Sequence, residues 1–150
     1  NRDARDDMSK GNTFENDFLL LIFNGTAIAN IADDASSSPL TDLYVSLHTG
    51  DVGEGGNQTT SECAYGSYAR VAVARSGAGW TVSGNACSNA ALVQFPQCSS
   101  SSETVTHFAV GTASSGTGKV LYKGALGSSL AVSSGIQPQF ATGDLHITED

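Results

Sequence analysis

The sequence predicts an all-β fold, an antiparallel β-sandwich of jelly-roll type with one N-terminal α-helix. Three observations carry this reading. One early stretch places apolar residues at helical spacing, most of the remaining chain alternates apolar and polar residues in short runs, and glycine-rich turn signals separate those runs. At 150 residues the chain is long enough for one core, and 12–150 reads as a single domain behind a polar arm at 1–11.

The helix is expected over about 13–23. Asn12 or Thr13 can cap it, Glu15 stands three residues after Asn12 in capping-box register, and Asp17 suits the positive end of the helix dipole. Phe14, Phe18, Leu21 and Ile22 share one face, and Asn24-Gly25 supplies a left-handed stop. Leu19, Leu20 and Phe23 widen that face beyond the needs of an isolated helix. The excess should be covered by the domain's own sheet or by a neighbouring subunit. Residues 32–41 read as a loop, with Pro39 near its end.

Alternation then takes over. Leu43, Val45 and Leu47 alternate with Tyr44, Ser46 and His48, and a second run beginning at Tyr68 sets Val71 and Val73 against Arg70, Ala72 and Ala74. Further strands are expected at 79–83, 91–95, 104–111, 119–124, 129–132, 137–140 and 144–148. Turn signals such as Ser76-Gly77-Ala78-Gly79 and Ser83-Gly84-Asn85 punctuate them. The serine run 99–102 reads as an exposed tip, and no solenoid repeat is present.

Composition narrows the function. Only 15% of residues are charged, against about 25% in typical soluble domains, so the surface is built of hydroxyls and backbone and suits a protein packed against copies of itself or a shell. The net charge is −8, and the seven Lys and Arg are scattered. Direct nucleic-acid binding, which needs clustered cations to displace counterions, is not expected. No run approaches the roughly 18 apolar residues of a membrane span, no secretory signal pattern follows the charged start, and Met8 marks a candidate natural start with 1–7 as an upstream extension. Cys63, Cys87 and Cys98 form no C-x-x-C; a Cys87–Cys98 disulfide is the alternative to the expected three free, buried thiols.

Motifs for chemistry fail on inspection. In 111–120 a phosphate loop would need Gly at Ala113 and Ser or Thr at Val120, so the segment reads as a hairpin connection. No G-x-S-x-G occurs. His48, His107 and His146 read as strand-edge or interface polar residues rather than partners of Asp51 or Asp144 in a metal or acid–base site. Asp51 and Glu54 sit in a glycine-rich loop without the EF-hand pattern, and a solvated loop is expected. Trp80 reads as a core plug or a sheet-edge anchor rather than a ligand platform. No catalytic, cofactor or metal residue is therefore assigned.

The stretch 43–75 is the most informative. Leu47-His48-Thr49-Gly50-Asp51-Val52-Gly53 followed by Gly66-Ser67-Tyr68-Ala69-Arg70 resembles the "Leu-His-Thr-x-Asp-Pro-Gly" loop and "Gly-x-Tyr-Ala-Arg" strand of a family of small tailed-bacteriophage virion proteins, with Val52 where Pro is usual. The segments 105–126 and 140–148 extend the resemblance from about Phe14 to the C-terminus. Members are called capsid cement (decoration) or tail-fibre proteins. The resemblance implies a non-enzymatic structural protein, made in the host cytoplasm and carried on the outer capsid surface of the virion. It would bind the major capsid protein lattice and copies of itself. A tail or tail-fibre component is the alternative, and a virion carbohydrate-binding module or small hydrolase is the alternative of another class. Candidate interface residues are Phe14, Phe18, Leu19 and Phe23 on the helix, His48, Asp51 and Glu54 at the loop, and Tyr65, Tyr68 and Arg70, types that interfaces enrich.

Overall fold

A computed structural model describes residues 12–28 and 39–149; the expected arm at 1–11 and most of the expected loop at 32–41 lie outside them. Helix α1 (Asn12–Asn24) is followed by β1 (Asp42–His48), β2 (Val71–Ala74), β3 (Trp80–Ser83), β4 (Ala86–Asn89), β5 (Val93–Gln94), β6 (Glu103–Gly111), β7 (Val120–Val132), β8 (Gln139–Phe140) and β9 (His146–Thr148). All pairings are antiparallel. They form a four-stranded sheet in the order β2-β1-β6-β7, a three-stranded sheet β3-β4-β9, and the pair β5-β8. This is an all-β sandwich with one N-terminal helix. Leu43, Val45, Leu47, Val105 and Val110 of the larger sheet meet Trp80, Cys87 and Ile147 of the smaller one in a single core.

The helix turns a different face inward from the one its spacing suggests. Glu15, Leu19 and Phe23, an i, i+4, i+8 row, are its buried residues, while Phe14 stays 42% exposed. Phe23 decides the roll: its ring lies 4.6 Å from Trp80 and 5.5 Å from Tyr122, contacts that Phe14 and Phe18 cannot reach from their side. Phe14 and Phe18 instead pack edge-on against each other at 6.2 Å. Asn16 and Asn24 donate side-chain amides to the carbonyls of Gly84 (2.7 Å) and Trp80 (3.2 Å), fixing α1 on the β3–β4 hairpin. Gly25 takes the left-handed conformation at φ 67°, as the Asn-Gly stop predicts. Arg75, 53 residues away, completes the end of the helix by donating to the carbonyls of Leu21 (2.6 Å) and Ile22 (2.8 Å), a cation where the dipole is negative.

Two strand expectations change. Strand β4 has no strand signal in its sequence, because Ala86-Cys87-Ser88-Asn89 carries no branched or aromatic residue. It forms because Cys87 and Asn89 face inward and Asn89 has partners for its whole amide. Asn89 donates to the carbonyls of Ala91 (2.8 Å) and Ala141 (3.0 Å) and accepts from Leu145 N–H (2.9 Å). The expected strands 119–124 and 129–132 are one element, β7. Its register against β6 jumps from Ala125 opposite His107 to Leu130 opposite Val105, so Leu126 to Ser129 form a wide bulge where the sequence suggested a break. The three cysteines are free and buried; desolvation pushes the thiols of Cys63 and Cys87 up to about 12. No helix among the described residues is long and apolar enough to cross a membrane.

Candidate functional site

The glycine- and acid-rich loop leaving β1 folds back on the β6–β7 hairpin, and the motif residues of 47–70 meet there. Arg70 lies just before β2. Its guanidinium forms a two-pronged pair with Glu62, Nε to Oε2 at 2.7 Å and Nη2 to Oε1 at 2.8 Å. The same group donates to the carbonyls of Ala113 (2.8 Å) and Gly116 (2.7 Å) in the hairpin. Its side chain is 3% exposed and that of Glu62 is 14% exposed. Glu62 raises the Arg70 pKa, outweighing the desolvation that opposes it. Tyr68 donates its hydroxyl to Glu62 (2.8 Å) and accepts the Leu47 N–H (3.1 Å), and burial pushes its pKa up.

His48 is fully buried beside this cluster. Its Nδ1 donates to the Thr60 carbonyl at 2.8 Å, so Nε2 of the neutral ring accepts from the Ser46 hydroxyl, also at 2.8 Å. Desolvation lowers its pKa, outweighing the backbone hydrogen bond and the Glu62 charge that favour the imidazolium. Serine and histidine at this distance match a nucleophile–base pair, but both side chains are fully buried and meet no solvent. The pair is a structural link between strand and loop.

Gln58, also fully buried, makes the third tie. Its Nε2 donates to the Ala113 carbonyl (3.2 Å), its Oε1 accepts the Ala113 N–H (2.9 Å), and its own N–H reaches the Thr117 carbonyl (3.0 Å). Gly111 and Gly118 make room for it, since a Cβ at either would collide with the Gln58 amide. Outside these ties Val52 is buried, while Thr49, Asp51, Glu54 and Gly55 are exposed. Asp51 accepts the Gly53 N–H at 3.0 Å, and Gly53 has φ 76°, so the turn forms with Val52 in the place of Pro. That hydrogen bond, followed by Lys123 at 3.0 Å, lowers the Asp51 pKa. Glu54 is almost fully exposed, 3.9 Å from Lys123.

The structure therefore divides the ten candidate interface residues. Leu19, Phe23, His48 and Tyr65 belong to the core: the first three are fully buried, and Tyr65 is 2% exposed with its hydroxyl on the Pro96 carbonyl at 2.8 Å. Arg70 is held inside its ion pair, and Tyr68 is packed against the core. The four buried residues offer no surface in this fold, and Tyr68 and Arg70, partly buried, have their polar groups held within the chain, because aromatic and Arg side chains that suit an interface suit a buried network equally. Phe14, Asp51 and Glu54 remain at the surface and Phe18 is half-buried. Sequence reasoning missed Ser46, Gln58 and Lys123. For Gln58 the available signal was indirect, two glycines more than fifty residues downstream. Among the described residues no group of three or more His, Cys, Asp or Glu is placed to hold a metal ion.

The arrangement is built to hold a loop and a hairpin in one conformation. A family model described as podophage GP4 fiber I protein gp80 matches residues 9–148 of the chain. No curated protein matches it.

Proposed function

We propose, from the premise that this chain belongs to the podophage GP4 fiber I protein gp80 family and is thus a structural protein of a tailed-phage virion, that it serves as a subunit of a virion fibre. The observation that supports this is the match running along nearly the whole chain to a family named for a fibre. The low charge content and the internally satisfied loop–hairpin junction accord with a rigid building block that acts by position rather than by turnover. In this reading the subunit self-associates, and many weak contacts add along the assembly. The second reading is a capsid cement protein on the outer surface of the head. There it would bind the major capsid protein lattice and stabilise the shell by mass action; the acidic net charge of −8 favours an outer over a DNA-facing surface.

Labelled antibody fragments against the folded chain, applied to intact virions and viewed by electron microscopy, separate the two. Label confined to fibres supports the fibre subunit. Label over the whole head overturns it in favour of the cement role.

A further inference from the structure

Glu15 is the acidic residue that α1 buries: it is 8% exposed, in the row with Leu19 and Phe23 that faces the domain. Its place in the first turn suits a capping box, in which the carboxylate returns to a free N–H at the start of the helix. Among the described residues, however, its side chain has no hydrogen-bond or ion-pair partner. A carboxylate taken out of water is held by a cation, by hydrogen bonds or by a metal ion, since its desolvation is otherwise uncompensated. The positive end of the helix offsets only part of that cost. Glu15 lines a cavity of about 270 Å³ between the start of α1 and the β3–β4 turn, together with Asn12, Gly84 and Asn85. Asn16 fixes the two elements across it by donating to the Gly84 carbonyl at 2.7 Å. Asn85 is fixed in turn: its side-chain N–H donates to the Glu149 carbonyl at 3.1 Å, and its own carbonyl accepts the Glu149 N–H at 2.8 Å. Those bonds leave the Asn85 side-chain oxygen as an acceptor, and Asn12 brings a second one.

We propose that this cavity binds a hard divalent cation of calcium's size, with Glu15 as the charged ligand and the side-chain oxygens of Asn12 and Asn85 as neutral ones. Oxygen donors alone suit calcium or magnesium rather than zinc or copper. Calcium is the better fit, because it accepts irregular sets of carboxylate, amide and water oxygens where magnesium demands a near-ideal octahedron. At about 30 Å³ per water, the cavity of about 270 Å³ has room for the ion and for the waters that complete its shell. A single carboxylate makes the site weak, with a dissociation constant on the order of 0.1–1 mM. The bound ion neutralises the buried charge and joins the start of α1 to the β3–β4 hairpin beside the Asn16 tie.

The test is thermal unfolding of the full chain in EDTA and in calcium chloride over the millimolar range, with sodium chloride of matched ionic strength as the control. An amide NMR titration of the same chain with calcium chloride locates the ion. The melting temperature should rise with calcium and saturate, and the amides of 12–16 and 84–86 should shift first. Glu15→Gln should lose the rise; in EDTA it should unfold no lower than the parent, because the substitution removes an unpaired charge. The titration of the parent reads the site even if that variant does not fold. A rise that survives in Glu15→Gln, or shifts centred on Asp51 and Glu54, overturns the site. A chain that calcium stabilises no more than the salt control overturns it too. So does stabilisation by arginine hydrochloride and not by calcium, which makes the cavity a seat for a guanidinium.

Discussion

Where the helix docks, Phe23 lies 4.6 Å from Trp80 and 5.5 Å from Tyr122, and the indole N–H has no hydrogen-bond partner among the described residues. Where the loop meets the hairpin, Arg70 divides four hydrogen bonds between one carboxylate and two carbonyls, and Gln58 bonds through both ends of its amide. The first junction is held chiefly by burial of apolar area, which is non-directional, with the Asn16 and Asn24 amides bonded to hairpin carbonyls at its rim and one buried donor left at a cost. The second depends on direction: each buried polar group is an asset only while its partner stays in place. The apolar junction thus fixes that the helix docks, and the polar junction fixes the conformation in which the loop is presented.

That contrast can be broken from either side. The largest effect is expected from Trp80→Ala, which empties the fully buried centre of the apolar junction and should cost about 3–5 kcal/mol in denaturant unfolding. A loss below about 1 kcal/mol would mean that the ring contributes little. Arg70→Met should come next, at the low end of the ~3–5 kcal/mol seen when one partner of a buried pair is removed, because Glu62 retains slight exposure. Adding Glu62→Gln should recover part of that loss; a double mutant as unstable as the sum of the singles would contradict the pairing.

Acid is a gentler probe of the same junction. His48 is neutral when folded and its pKa lies below 6.5, so the unfolded chain takes up its proton first as pH falls. The stability associated with keeping this ring neutral is complete above pH 6.5 and declines as pH drops through it toward the folded value. Glu62, Arg70 and His107 are the charged or titratable neighbours that act on the ring. The melting temperature should fall between pH 7.5 and 5.5, and His48→Gln should flatten that slope relative to the parent chain; an unaltered slope would remove His48 as the cause. The smallest effect is expected at Lys123→Ala, since its partners Asp51 and Glu54 are exposed and screened. Unfolding of this variant should match the parent.

The strands and the helix were legible because period-2 and helical spacing are local signals. β4 was not, since its four small residues gain their place from partners on β3 and β9 rather than from propensity. The helix itself was legible, its buried row was not: Phe14 and Phe23 look alike in sequence, and only Trp80 and Tyr122 distinguish them. The same holds at the loop. Tyr68, Arg70 and His48 are visible as unusual residues near a glycine-rich turn. Whether such residues face a partner or the core depends on Glu62, Gln58 and the carbonyls of Ala113 and Gly116, which a linear pattern does not bring together.

The most direct measurement is hydrogen exchange of Arg70→Met against the parent, read over 49–62 and 112–118, alongside its incorporation into virions. Exchange should be faster in both segments, protection in α1, β3 and β4 should be unchanged, and any loss of incorporation should track the loosened loop. Unchanged exchange in 49–62 and 112–118 together with lost incorporation would contradict this, and would make Arg70 a contact to a partner rather than the tie that holds the loop.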